Sequence, residues 1–95
     1  MATPLIIELF SASTCQRCSN AKKHIQSLVE QLADDLGDGI VEYRELDVLE
    51  VLDYAVSLGV LTTPAIAING ELVFTAMPSL KRLTDEIQQR LAHHD

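Results

Sequence analysis

The sequence predicts an α/β fold in the order β-α-β-α-β-β-α: a four-stranded mixed sheet flanked by three helices. Three observations carry this reading. An apolar strand-like run, a long helical pattern and a second strand-like run follow one another over residues 4–47, the layout of two parallel strands joined by a right-handed helical crossover. Asn69-Gly70 separates two short apolar runs, and this dipeptide favours the type I′ hairpin turn because both of its residues tolerate positive φ. Apolar residues recur at helical spacing in three segments, each bounded by turn-forming residues.

The elements read in order as follows. Residues 4–10 form a buried strand in which Glu8 is the lone polar interruption. Ser11-Ala12-Ser13-Thr14 is a loop, and Ser13 or Thr14 is placed to cap the next helix. From Cys15 to Leu36 the apolar positions are Cys18, Ala21, Ile25, Leu28, Val29, Leu32 and Leu36. Gly37-Asp38-Gly39 stops that helix, since glycine suits a left-handed cap. Residues 40–47 are a second strand. Residues 49–58 suit a short helix with Leu52, Ala55, Val56 and Leu58 among its apolar positions, ended by Gly59. Pro64–Ile68 and Glu71–Thr75 are the two strands of the hairpin. Ser79 is the expected N-cap of a last helix with Leu80, Leu83, Ile87 and Leu91 as its stripe, and His93-His94-Asp95 reads as a frayed end.

The 95 residues, 47% of them hydrophobic, suit one domain spanning 1–95 that buries its core without staples or metal. With no Trp, two Tyr and two Phe, that core is mainly aliphatic. No apolar run approaches the roughly 20 residues needed to span a bilayer, and Met1-Ala2-Thr3-Pro4 lacks the basic segment of a secretory signal. A cytoplasmic location is expected, with the cysteines resting mainly reduced. The formal net charge of −7, with seven scattered Lys and Arg, speaks against nucleic acid as a partner, because phosphate neutralisation needs clustered cations. Such acidity keeps a protein soluble and monomeric.

Cys15-Gln16-Arg17-Cys18 holds the only two cysteines, far too few for a disulfide scaffold. Three residues apart at a helix start, their side chains share one face within reach of a disulfide. The unpaired N–H groups and the positive end of the helix dipole favour thiolate over thiol there. A Cys-x-x-Cys pair by itself also suits half of a metal site, or two ordinary buried cysteines.

Taken together, these residues resemble a known family. The strand-loop-Cys-x-x-Cys-helix start, and Gly59-Val60-Leu61-Thr62-Thr63-Pro64 leading into the Asn-Gly hairpin, are similar to the thioredoxin fold. More narrowly, Ile7–Ser11 through Thr14-Cys15, Gly59-Val60 ahead of the Thr-Pro step, and Ile68–Phe74 resemble the small glutaredoxin-like thioredoxins of archaea and bacteria. The likeness covers nearly the whole chain. Gln16-Arg17 differs from the Gly-Pro of thioredoxins and the Pro-Tyr of glutaredoxins, and no Trp precedes Cys15. The Gly-Gly and acidic residues of glutathione-using glutaredoxins are replaced by Thr75–Ser79, which argues against glutathione as the dedicated reductant.

The resemblance implies a thiol–disulfide oxidoreductase that reduces protein or small-molecule disulfides without a bound cofactor. Cys15 would be the nucleophile that forms a mixed disulfide, and Cys18 would resolve it. Pro64 would be the cis-proline facing the dithiol, leaving the backbone of Thr63 to pair with an extended substrate segment. Arg17, between the cysteines, would favour the thiolate or help select partners. The partners implied are disulfide-bearing proteins and an electron donor, either a thioredoxin-reductase-like enzyme or a thiol pool. Lys22 and Lys23 read as solvent-facing, and His24 as a surface or packing residue. Glu8 lies seven residues before Cys15, where ordinary thioredoxin has its buried acid six before, so strand alternation turns it to the other face, in a structural or edge role. Two other readings use the same residues: a thiolate carrier of soft metals, and a redox-inactive scaffold of the same fold.

Overall fold

The computed structural model describes residues 4–37 and 39–92. Its elements are β1 (Leu5–Ser11), α1 (Gln16–Leu36), β2 (Val41–Asp47), α2 (Leu52–Leu58), β3 (Ala65–Ile68), β4 (Glu71–Phe74) and α3 (Leu80–Ala92). The strands form one sheet in the order β2-β1-β3-β4. β1 runs parallel to β2 and antiparallel to β3, and β3 and β4 are the antiparallel hairpin. This is the expected mixed sheet with three helices. β1 is an interior strand, which is why its sequence is almost continuously apolar: both faces are covered.

The alternation of side chains along β1 and β3 sorts the core into two layers. Leu5, Ile7 and Leu9 of β1, with Ile66 and Ile68 of β3, pack against Ala21, Ile25, Leu28 and Leu32 of α1 and Leu83 and Ile87 of α3. On the opposite face Phe10, Ala65 and Ala67 pack with Ala55 of α2 and Val60. The Ala-Ile-Ala-Ile sequence of β3 thus serves both layers, its isoleucines filling the deep one and its alanines the shallow one.

The hairpin forms as its sequence demands. Asn69 and Gly70 have φ of 51° and 79°, both positive. Asn69 also joins the turn to the sheet: its N–H donates to Ile6 O, and its Oδ1 accepts from Ile6 N–H, each at 2.9 Å. Ser79 caps α3, its Oγ accepting from Arg82 N–H at 3.2 Å. At the other end of that helix Arg90 pairs with Glu86 and, at 2.8 Å, with Glu71 at the start of β4.

Several expectations are corrected. The helix expected over 49–58 begins only at Leu52, because Asp47 organises a turn first. Asp47 Oδ1 accepts from Leu49 N–H at 2.9 Å, and its carbonyl accepts from the N–H groups of Glu50 and Val51. Leu52 and Val56 are half or more exposed rather than buried. A helix of seven residues has room to turn only part of its surface toward the sheet: Ala55 is buried, Leu58 is half-buried, and Tyr54 reaches β1 from the side. Leu36, the last residue of α1, and Leu80, the first of α3, are likewise about half exposed. Gly37 has φ 106° and ψ 154°, so α1 ends in a glycine-favouring conformation other than the left-handed cap. Asp38 and the His93-His94-Asp95 end lie outside the described residues. Among the described residues no helix is long and apolar enough to cross a membrane.

Candidate active site

The two cysteines lie where β1 hands over to α1. β1 ends at Ser11, and a tight turn follows in which Cys15 N–H donates to Ala12 O at 3.0 Å. Cys15 is the N-cap residue, with an extended backbone at φ −88° and ψ 104°. Neither Ser13 nor Thr14 caps the helix, and no side-chain hydrogen bond closes its first turn. The N-cap is the position from which a side-chain acceptor reaches the unpaired N–H groups of that turn. A reduced Cys15 therefore sits where a thiolate is favoured.

Cys15 and Cys18 form a disulfide, their Cα atoms 5.4 Å apart. The two sulfurs differ in environment. Cys18, in the first turn of α1, is only 5% exposed and belongs to the core face of the helix with Ala21 and Ile25. Cys15 is half-buried and borders open grooves on two sides. That asymmetry comes from the start of the helix: the N-cap residue lies at its tip, and the residue three further on has turned in toward the sheet.

One groove is lined by Thr14, Cys15, Gln16, Arg17 and Thr63. It brings together three of the residues singled out in the sequence: Cys15, Arg17 and Thr63. Arg17 is exposed and forms no ion pair among the described residues. The Thr63–Pro64 peptide is cis, and Pro64 is buried at the head of β3. The segment before it is anchored from both ends. Gly59 ends α2 in the left-handed conformation, φ 91°, Val60 is buried, and Thr62 Oγ1 donates to Thr75 O at 3.3 Å. Between these anchors Leu61 is 91% exposed.

The second groove is lined by Ser11, Ala12, Ser13, Cys15, Cys18, Ser19, Lys22, Glu45, Asp47 and Glu50. Lys22 is not simply solvent-facing: its Nζ lies 2.9 Å from Glu45 Oε2 of β2. The sequence holds no sign of this neighbour beyond the four-residue step from Cys18 to Lys22, which places both on one helix face. Glu45 could not have been found that way, because it arrives through the β1–β2 register, paired with Leu9. Lys23 and His24 are exposed, as expected. Among the described residues no group of three His, Cys, Asp or Glu side chains is arranged to hold a metal ion.

Glu8 does face away from the dithiol helix, as strand alternation requires, but on an interior strand rather than an edge. It is 7% exposed and accepts a hydrogen bond from Tyr54 Oη of α2 at 2.6 Å. That bond to Glu8, then burial, pushes the Tyr54 phenol up to about 12 from an ordinary value of 10.0. Burial, then the charge of Glu45, pushes Tyr43 up to about 12 as well, and its hydroxyl is buried with no hydrogen-bond partner among the described residues. Both phenols are held neutral in the folded chain at a pH where the unfolded chain would ionise them. Stability from these groups is therefore complete below about pH 10 and falls as pH rises from about 10 to 12. Urea unfolding midpoints measured across that range are expected to show the fall, and Tyr54→Phe is expected to make it shallower. An unchanged slope in the variant would rule out the Glu8–Tyr54 bond as a contributor.

A family model described as the thioredoxin domain matches residues 5–88. A thioredoxin of Methanocaldococcus jannaschii is 35% identical over 85 residues, 90% of this chain and 94% of that one. A probable thioredoxin of Methanothermobacter thermautotrophicus is 31% identical over the same shares. Among solved structures, a protein disulfide oxidoreductase of Aeropyrum pernix superposes with a TM-score of 0.82 at 24% identity, over 97% of this chain and 39% of that one. A mutant thioredoxin of Halobacterium salinarum gives 0.71 at 20% identity, over 92% of this chain and 74% of that one. At those identities the structures speak for the fold. Fold and dithiol together define a thiol–disulfide oxidoreductase. The chain belongs to the thioredoxin family, among its small archaeal and bacterial members. Its substrates are thus thiols and disulfides.

Proposed function

We propose that this chain reduces disulfides in proteins or small molecules, with Cys15 as nucleophile and Cys18 as resolving thiol. The observation that carries the assignment is the unequal burial of the two cysteines at the start of α1: Cys15 is half-buried and borders both grooves, whereas Cys18 is on the core face and borders one of them. The less buried cysteine, at the N-cap and open to two grooves, meets an incoming disulfide first; the more buried one, a turn further in, meets the mixed disulfide next to it. Thr63, Pro64 and Arg17 form the substrate side. An extended substrate segment lies along Thr63 and pairs with its backbone, as in strand addition. Arg17, beside Cys15 in the same groove, supports the thiolate and contacts the partner.

Electrons come from a thioredoxin-reductase-like enzyme or a thiol donor, and no resident cofactor is needed. We place the protein in the cytoplasm as a monomer. Its only two cysteines are the redox pair, as suits a compartment where structural disulfides are rare. Its net charge of −7 opposes self-association and contact with nucleic acid or anionic membranes. The test is a redox titration of the metal-free protein, with thiol labelling and intact mass as readout. A reversible two-electron transition is expected. A midpoint below about −250 mV fits a thioredoxin-like reductant and one near −200 mV a glutaredoxin-like role. Absence of a Cys15–Cys18 disulfide at every poise would overturn the proposal.

A further inference from the structure

The pocket of about 460 Å³ on the β2 side of the disulfide is bordered by both cysteines. It has room for several waters, at roughly 30 Å³ each. Its lining contains one cation, Lys22, and three carboxylates, Glu45, Asp47 and Glu50. These groups are not equivalent. Asp47 is engaged by the N–H of Leu49, and Glu50 is exposed on the turn that follows. Glu45 alone is tied to the helix that carries the cysteines, through Lys22 at 2.9 Å. Ser11 Oγ lies 3.4 Å from its other oxygen, at the point where β1 enters the active-site turn.

Cys18 has a requirement that this arrangement meets. To resolve a mixed disulfide it must react as a thiolate, yet its burial disfavours the charged form. It needs a proton acceptor and a nearby positive charge. Glu8 is the one carboxylate buried in the sheet beneath, and it is on the α2 face, held by Tyr54. Lys22 stands one helical turn beyond Cys18 on the same face, and its partner Glu45 opens onto the same pocket. We propose that the Lys22–Glu45 pair deprotonates Cys18 through water in this pocket and positions the charge that stabilises its thiolate. This inference rests on the assignment of Cys18 as the resolving thiol.

In this step the Cys18 thiol proton passes through water to the Glu45 carboxylate, while the Lys22 ammonium offsets the negative charge that appears on Cys18. The thiolate attacks Cys15 Sγ, the bond from Cys15 to the substrate sulfur breaks, and the substrate sulfur leaves with the bonding pair. The Cys15–Cys18 disulfide forms, the substrate carries off two electrons from the dithiol, and Glu45 passes its proton to the departing thiolate or to solvent.

The test uses the reduced protein and excess 5,5′-dithiobis(2-nitrobenzoate), followed by stopped-flow absorbance. Attack by Cys15 releases the first thionitrobenzoate in a concentration-dependent phase. Attack by Cys18 on the resulting mixed disulfide releases the second in a concentration-independent phase. Glu45→Gln is expected to slow the second phase about tenfold or more near neutral pH and to move its pH profile upward, with the first phase changed less than about twofold. Lys22→Met should shift the profile in the same direction, Glu45→Asp should recover part of the rate, and Glu30→Gln, exposed on α1, should behave as wild type. Thermal melts of each variant separate these effects from loss of fold. A second phase whose rate and pH profile are unchanged in Glu45→Gln would overturn the proposal, as would equal slowing of both phases. A wild-type protein that shows no second phase at all would instead overturn the dithiol mechanism itself.

Discussion

Cys18→Ser is expected to convert the protein from a turning-over reductant into a trap. With Cys15 intact the first exchange proceeds, because the half-buried cysteine at the N-cap retains its groove and the unpaired N–H groups of the first turn. The mixed disulfide then has no intramolecular thiolate to release it. Hydroxyl is a far weaker nucleophile than thiolate, and the substituted serine would lie in the same buried place. Incubation with a disulfide-bearing protein should yield a covalent adduct heavier by the mass of the substrate, released by dithiothreitol. Cys15→Ser should form no adduct and should lower disulfide reduction at least about 1,000-fold, since the buried Cys18 cannot replace it. The contrast between these variants reports the division of labour between the two sulfurs. A Cys18→Ser protein that turns over normally by the dithiol route would reverse it.

Much of this site is legible in the sequence alone. The Cys-x-x-Cys spacing, the strand before it and the Thr-Pro step ahead of an Asn-Gly hairpin are local patterns, and each fixes a local geometry. Positive φ at Asn69 and Gly70 and the cap by Ser79 are cases where residue chemistry leaves little choice. Other features were not legible, because they depend on contacts between distant segments. Glu45 reaches the dithiol pocket through strand register, and Lys22 meets it there across the α1–β2 contact. Tyr54 finds Glu8 across 46 residues. The exposure of Leu52 and Val56 shows a different limit. Helical spacing predicts an apolar stripe, but a short helix over alanines uses only part of one, and the width of that stripe is set by the partner surface. The cap at Cys15 shows a third: Ser13 and Thr14 have the better capping chemistry, yet the turn that ends in Cys15 N–H bonding Ala12 O brings the chain into the helix one residue later.

Phe10→Ala is expected to be among the most destabilising single substitutions in the chain. Phe10 is fully buried, paired across the sheet with Leu46 of β2 and Ala65 of β3, and its ring lies 5.8 Å from that of Tyr54. It is the largest side chain of the shallow layer, whose other buried members are Ala55, Val60, Ala65 and Ala67. Three of these four are alanines, which cannot extend into the space, so refilling it would need shifts of the half-buried side chains at the rim, such as Leu46 and Leu58, or of the backbone. Truncation should therefore cost about 3–5 kcal/mol, made up of lost transfer energy and the cavity left behind. Against a typical total of about 5–15 kcal/mol this is large enough to populate the unfolded state. The effect should extend to the active site, because α2 and the Val60 anchor of the loop to Pro64 rest on this layer. Urea unfolding gives the energy directly. Phe10→Leu, which refills most of the volume, should recover the greater part of it, and Leu61→Ala, at a side chain 91% exposed, should stay within about 0.5 kcal/mol of wild type. If Phe10→Ala also fell within that narrow range, the shallow layer would have to be able to collapse around the missing ring, and the rigid support it gives to α2 and the Thr63–Pro64 loop would be refuted.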